Sequence, residues 1–409
     1  MIPRCRSCGA ELRHTFCDLG MSPLSNRFLD ASQLNAMEPF YPLHAYVCAE
    51  CFLVQIEQFE APQRIFSEYA YFSSYSDSWL AHAERYVESM IRRFGIGIAS
   101  RVVEIASNDG YLLQYFSRRG VPVLGVEPAA NVARAAEERG VRTLVDFFGT
   151  RCAERLAAEH GRADLIVANN VLAHVPALND FIEGVRVVLA PHGVATFEIP
   201  HLLRLMQGNQ FDTIYHEHFS YFSLLALKRL LAAHGLRVFD LEELATHGGS
   251  LRLYVCYTDD AAQPRGKAVD KVAADEAAAR LQTLQAYDAF KGGVQEAKRG
   301  LLDFMIGAKR NGKRIAAYGA AAKGNTLLNY CGMRDDFIDY VADRNPHKQG
   351  RFLPGSHIPI QHPDRIRETR PDYLLILPWN IEEEVVRQNA HIRAWGGKFV
   401  VPIPMVRVL

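Results

Sequence analysis

The chain has no excess charge of either sign: 46 Lys and Arg balance 46 Asp and Glu across 409 residues. Without a net field it has no overall electrostatic pull toward nucleic acid or an anionic membrane surface. An apolar run of ~18 residues or more is also missing, so no spanning helix is expected. The opening segment MIPRCRSCGAEL lacks the apolar core of a secretory signal, which makes the cytoplasm the expected compartment. Cysteine is sparse after residue 51, where Cys152, Cys256 and Cys331 stand far apart, while five of the eight lie at or before it. That distribution argues against a disulfide framework and for a local metal site in a reducing compartment. An apolar content of 49% and the length leave room for two or three ordinary globular domains.

The clustered cysteines are paired as Cys5-Arg6-Ser7-Cys8 and Cys48-Ala49-Glu50-Cys51, with 39 residues between the pairs. Each C-x2-C turn offers two thiolates, and two such turns close a tetrahedral S4 shell of the structural zinc type. Cys17 and His44 are substitute ligands, but the paired spacing favours Cys5, Cys8, Cys48 and Cys51. Four protein ligands leave no open position for substrate or water, so the expected zinc is structural. We place this module at residues 1–68. It is followed by a tract dense in aromatics and hydroxyls, Tyr69-Ala70-Tyr71-Phe72-Ser73-Ser74-Tyr75, which leads into a helix from Leu80 to about Arg93. Core aromatics ahead of a helix cap would explain most such tracts; three tyrosines in seven residues also make a wall for a polar ligand.

Residues 99–200 alternate strand and helix patterns. Strands are expected at Val102–Ile105, Val121–Val126, Arg142–Val145, Ala163–Ala168 and Val194–Ile199, the last after a turn at Pro191-His192-Gly193. This is the pattern of a parallel, doubly wound α/β sheet, with ligands beyond the carboxyl ends of its strands. The chemistry-bearing residues fall at those ends: Glu104 and Ala106-Ser107-Asn108-Asp109-Gly110, Glu127-Pro128, Asp146-Phe147, and Asn169. Then Tyr215-His216-Glu217-His218 puts four polar side chains in succession between aromatics. A half-buried strand alternates polar with apolar and a surface helix segregates them, so this run suits neither. Its burial must be offset by partners or a ligand. Residues 258–312 read as a helical linker with a solvated face. A second α/β unit follows at 313–409, with strands at Arg314–Tyr318, Phe337–Ala342 and Asp372–Leu377. After its first strand, Gly319-Ala320-Ala321-Ala322-Lys323-Gly324-Asn325 is a Gly-containing turn into a helix, a setting that presents free N–H groups and a cation to an anion.

EIASNDGYLL resembles the first motif of S-adenosylmethionine-dependent class I methyltransferases, with only Gly110 left of the usual three glycines; a dehydrogenase would carry G-x-G-x-x-G, which is absent. The resemblance implies a class I methyltransferase sheet over residues 69–257. It implies cofactor contacts from Glu104, Ala106, Asn108 and Gly110, ribose contacts from Glu127 beside Pro128, an adenine-facing Asp146-Phe147, and Asn169 beside the methionine end. The order of the whole chain (paired cysteines, YFSSYS, EIASNDG, NNVLAHVP, YHEHFSYFS, THGGSLR, YGAAAKGNT) is similar to the nucleotide-sugar C-methyltransferases of the tetronitrose C-3 type. That family places a nucleotide-linked 4-keto sugar between the methyltransferase domain and a C-terminal domain of similar fold. It implies that Tyr215, Glu217, His218 and His174 reach the sugar together with Tyr71 or Tyr75. On the C-terminal domain Tyr318, Gly319, Lys323, Asn325 and Arg344 are the expected substrate contacts. Carbon methylation needs a carbanion, and a base that is neutral near pH 7 suits a histidine; His218 is the expected base, with Glu217 orienting a ring nitrogen or a sugar substituent. Tyr215, His174 or the N-terminal Tyr are expected to donate to the enolate oxygen. The chain is expected to be a monomer without nucleic-acid or membrane partners; an RNA methyltransferase and a non-catalytic nucleotide-sugar binder are the alternatives.

Overall fold

The computed structural model describes residues 2–61, 73–75 and 77–409. Tyr71 lies outside them, and Tyr75 is described only as backbone of a 3-10 turn, Ser73–Tyr75. The N-terminal module is an antiparallel meander of β1 (His14–Ser22), β2 (Tyr41–Val47) and β3 (Val54–Ile56). After the helix Asp77–Phe94 comes a parallel sheet. Its strands are β4 (Val102–Ile105), β5 (Val123–Val126), β6 (Thr143–Leu144), β7 (Ala163–Asn169) and β8 (Leu189–Pro200). β4 is buried along its whole length, as a strand covered on both faces must be, which makes the carboxylate in V-V-E-I an exception that asks for a reason.

The expected turn at Pro191-His192-Gly193 is absent, because β8 starts earlier, at Leu189, and runs through it. Its register against β7 jumps from Ala163↔Leu189 to Leu165↔Val194, so the intervening residues bulge out. Gly193 permits this by close approach: a Cβ there would lie 2.7 Å from the Ala163 carbonyl oxygen.

The short strand β9 (Ser220–Tyr221) then leaves the parallel sheet and pairs with β3, so that the segment just past His218 is the fourth strand of the N-terminal sheet. β10 (Leu236–Leu244) and β11 (Ser250–Tyr257) return to the large sheet, whose order is β10-β11-β8-β7-β4-β5-β6 with β11 antiparallel to both neighbours. Residues 258–312 are more than a solvated linker. The helix Lys267–Ala278 buries Glu276, which accepts the Leu224 and Leu225 N–H groups and pairs with His201 at 2.8 Å. The helix Leu284–Arg310 buries Tyr287, Phe290, Val294, Ala297, Leu301 and Met305 at helical spacing, and Phe290 stacks on Phe16 of β1.

The last sheet has the order β14-β13-β12-β15-β16-β17, built from β12 (Ile315–Tyr318), β13 (Val341–Ala342), β14 (Ile360–Gln361), β15 (Tyr373–Ile376), β16 (Lys398–Val401) and β17 (Arg407–Val408). β13 is only two residues long because Phe337 and Ile338, expected in the strand, are tied into a turn by the Arg334 carbonyl. Among the described residues no helix is long and apolar enough to cross a membrane.

Candidate active site

At the end of β4, Ala106, Asn108 and Gly110 have φ of 55°, 49° and 75°. Three alternating left-handed residues give the backbone path of a glycine-rich turn, although only one is glycine; the Ala is the costly one. Glu127, at the end of β5, knits this turn: one carboxylate oxygen accepts the Asn108 N–H at 3.0 Å and the other the Ala129 N–H at 2.9 Å. Glu104 and Asp109 lie behind it, both fully buried. Burial pushes Glu104 well above the usual carboxylate range, with Glu127 and Asp109 adding to the push. Asp109 is paired with Arg139 at 3.0 Å and accepts from the Ser74 hydroxyl.

Several buried polar atoms around these strand ends have no partner among the described residues: Glu104 Oε2, Asp109 Oδ1, Ser107 Oγ, Asn169 Oδ1 and both side-chain heteroatoms of Asn170. Such a concentration asks for a polar occupant. S-adenosylmethionine fits it, being cationic at sulfur and rich in hydroxyl and amino donors. Asp146 stands at the neighbouring strand end, salt-bridged to Arg155 at 2.6 Å, with half-buried Phe147 next to it. Pro128 is half-buried at the head of the following turn.

The loop Phe211–Phe219 lies between this edge and the C-terminal domain. His218 Nδ1 is 3.1 Å from the Thr213 carbonyl oxygen and Nε2 is 2.7 Å from the Tyr215 hydroxyl. A carbonyl can only accept, so Nδ1 carries the proton and Nε2 is a bare nitrogen that accepts the Tyr215 O–H. His174, from the segment after β7, faces the His218 ring at 4.7 Å, and its Nδ1–H donates to the Glu217 carbonyl at 2.8 Å. Burial lowers His174 to about 4 and drops His218 well below the ordinary histidine value, His174 being its second cause. Both rings are therefore neutral near pH 7. His174 Nε2 is then an acceptor, which does not match the donor expected from the sequence.

The neighbours in the Tyr-His-Glu-His run have other directions. His216 points into the N-terminal module, 3.2 Å from the Pro42 carbonyl oxygen and edge-on to Tyr41. The Glu217 carboxylate accepts Asn26 Nδ2 at 2.8 and 2.9 Å and orients no ring nitrogen of His218. Burial pushes it up to about 7.

The second α/β unit closes over the same loop. Thr326 Oγ1 donates to the Ile214 carbonyl at 3.1 Å, and Trp379 Nε1 donates to buried Asp212 at 2.7 Å. Lys323 lies over the Trp379 ring at 4.7 Å and donates to Asn380 at 2.7 Å. Gly319 is needed at φ 89°, where a Cβ would also lie 2.5 Å from Pro378. Asn325 is fully buried with neither amide atom paired among the described residues. Tyr318 and Arg344 are not with this group. They line a separate cleft of about 430 Å³ with His362, Arg367, Gln388 and His391, and Tyr318 belongs to the core on the other face of the sheet.

Residues that sequence reasoning missed include Asn26, Asp212, Trp379 and a buried network of Glu198 with His82 (2.9 Å) and Arg252 (2.6 Å). Glu198 had a signal, a lone carboxylate in the apolar run of β8, but Asn26 had none. The cysteines behave as the spacing predicts. Their four Sγ atoms lie within 4.8 Å of one another, and the Cys5–Cys51 and Cys8–Cys48 separations are 3.5 Å. Tetrahedral zinc at its usual thiolate distance requires sulfurs about 3.8 Å apart, so the shell fits the metal. Cys17 and His44 are outside it: Cys17 is a buried thiol of β1, and His44 bonds Thr15 at 2.9 Å. Among the described residues no group within His216-Glu217-His218 gathers as a metal site.

Comparison with known proteins finds three family matches in succession along the chain. A zinc binding domain family matches residues 5–66, a methyltransferase domain family 79–241, and a C-methyltransferase C-terminal domain family 245–404. C-methyltransferase NovU of Streptomyces niveus is 35% identical over 410 residues, covering 100% of this chain and 97% of that protein. Among solved structures, magnesium protoporphyrin IX methyltransferase of Synechocystis PCC 6803 with bound S-adenosylmethionine aligns at 12% identity over 43% of this chain and 78% of that one, with a TM-score of 0.33. A methyltransferase of Anabaena variabilis aligns at 16% identity over 44% and 86%, with a TM-score of 0.35. With its cofactor edge, its four-cysteine zinc site and a full-length relative, the chain belongs to the S-adenosylmethionine-dependent C-methyltransferases.

Proposed function

We propose that the enzyme methylates C-3 of a TDP- or GDP-linked 4-keto-6-deoxy sugar, in the making of a branched deoxysugar. The observation that carries this reading is the His218 ring: neutral, oriented by the Thr213 carbonyl, and presenting Nε2 beside the Tyr215 hydroxyl between a cofactor edge and Lys323. S-adenosylmethionine, when bound, supplies an electrophilic methyl group on a sulfonium. Residues of this chain must therefore make and hold a carbanion. A proton α to a ketone is acidic enough for an imidazole to remove, leaving the electron pair shared between C-3 and the C-4 oxygen.

His218 Nε2 can accept the Tyr215 O–H or the C-3 proton, not both. As the ring takes the proton, Tyr215 loses its acceptor and its O–H is released toward the enolate oxygen. Base and donor are thus coupled through one hydrogen bond of 2.7 Å. In a site this dry such a donor is worth about 3 kcal/mol of transition-state stabilisation. Lys323, the Gly319 turn and Asn325 suit the diphosphate end of the substrate.

The test is methyl-labelled S-adenosylmethionine with a panel of TDP- and GDP-linked 4-keto sugars, followed by mass spectrometry of the products. His218→Asn is expected to transfer no methyl and to stop exchange of the C-3 proton in heavy water, while still binding S-adenosylmethionine. Full activity in that variant would remove the proposed base. Label that never reaches sugar carbon with any wild-type pairing would sink the substrate reading.

A further inference from the structure

The N-terminal module sends the Asn26 side chain to the carboxylate of the candidate catalytic loop. Asn26 lies in the segment between β1 and β2, half-buried, and its amide nitrogen bridges both oxygens of Glu217, 191 residues away. The same module takes up β9, directly after His218, as its fourth strand. The catalytic loop is thus tied to the module by backbone on one side and by this side chain on the other. Glu217 passes the restraint on, since its carbonyl accepts His174 Nδ1–H and so sets which nitrogen of that ring is bare.

The chemistry of the partner matters. A charged Arg or Lys beside a buried carboxylate would keep it ionised. Here the donor is a neutral amide, and the charge that acts on Glu217 from the C-terminal domain is that of Lys348, with the His174 ring at its carbonyl. A neutral donor favours the carboxylate only modestly, leaving it able to exchange a proton near neutrality.

We propose that Asn26 is a positioning residue of the methyl-transfer site, fixing the Glu217 carboxylate and, through the Glu217 main chain, the tautomer of His174. The assignment rests on the reading that this loop carries the chemistry, so its first test needs no substrate. With glutamate labelled at the side-chain carboxyl carbon, the Glu217 signal is identified by its loss in Glu217→Gln and titrated. Asn26→Ala removes the donor, and the midpoint is expected to move upward by on the order of one pH unit. Isosteric Asn26→Asp places a like charge there and should move it further, while keeping the side-chain shape if the alanine variant folds poorly. Zinc content should stay at the wild-type value.

In methyl transfer, Asn26→Ala should lose about tenfold in kcat with KM for S-adenosylmethionine unchanged, and less than twofold more when added to Glu217→Gln. A Glu217 midpoint that moves in neither variant overturns the proposal, as does a loss that adds in full to that of Glu217→Gln. Wild-type enzyme that methylates no keto sugar would defeat the substrate reading and leave the titration result standing.

Discussion

After β4 the chain enters its helix through Ala106-Ser107-Asn108-Asp109-Gly110, and after β12 through Gly319-Ala320-Ala321-Ala322-Lys323. Both turns are knitted by a carboxylate just past the neighbouring strand. Glu127 accepts the N–H groups of Asn108 and of Ala129, two residues beyond itself. Asp343 accepts those of Ala320 (2.7 Å) and of Asn345 (2.8 Å), again two residues beyond. The scaffold device is shared, and the side chains around it are of opposite type, acidic at the first turn and basic at the second. Glu104 and Asp109 back the first turn, whereas Lys323 and Lys348 flank the second, Lys348 donating to the Ala320 carbonyl at 2.8 Å. One fold therefore serves a cationic cofactor at one edge and suits an anionic ligand at the other, through the residues beside the turn and not through the turn itself.

Breaking the knit is the severest test of that comparison. In Glu127→Gln one end of the side chain can no longer accept, so a buried N–H of Asn108 or Ala129 is orphaned at a cost of ~1–3 kcal/mol. S-adenosylmethionine affinity is expected to fall at least tenfold by calorimetry. Asp343→Asn should cost comparable stability in urea melts and leave that affinity within twofold. If both variants lose the cofactor equally, the two turns are not separate sites.

The cysteine shell and the two α/β sheets were readable because their signals are local: fixed C-x2-C spacing, and apolar runs alternating with helix patterns. The polar run at Tyr215–His218 stood out for the same reason. What joins these parts was not readable. The Asn26–Glu217 bridge and the Trp379–Asp212 bond span 191 and 167 residues, and no periodicity encodes a contact between loops so far apart. The pairing of β9 with β3 is two residues long, too short to show in any pattern. Tyr318 and Arg344 sit in sequence beside the second turn, yet alternation in a strand and one residue of turn send them to another cleft. Three glycine-like φ values at Ala106, Asn108 and Gly110 were hidden because residue type understates what a well-braced backbone can be made to adopt.

A smaller effect is expected at the basic turn. Lys323→Ala removes a cation held over Trp379 without touching the turn's backbone. Affinity for a nucleoside diphosphate should drop about tenfold, the worth of one charge-assisted hydrogen bond of ~1.5 kcal/mol. Its dependence on salt should become shallower. Unchanged diphosphate affinity would mean that the anion is held elsewhere, the cleft containing Arg344 and Arg367 being the next place to look.

The mildest change, Glu104→Gln, reports on charge alone. Glu104 is held above the usual carboxylate range by burial and by two neighbouring carboxylates, so the folded state binds a proton there that the unfolded state has released. Its contribution to stability is full below the ordinary carboxylate value and declines as pH rises toward the folded value. Glutamine cannot ionise, so the variant's stability should fall less steeply with pH above ~4.5. A bound sulfonium works in the other direction, favouring the ionised carboxylate. Cofactor binding to the wild type should then release a fraction of a proton, seen as a binding heat that depends on the ionisation enthalpy of the buffer. The variant should show no such release and lose less than about tenfold in affinity, because a neutral amide still accepts a hydrogen bond. Equal proton release in both proteins would place the titrating group elsewhere, with Asp109 and Glu127 as the remaining carboxylates of that edge, and the acidic side of the comparison would then rest on them.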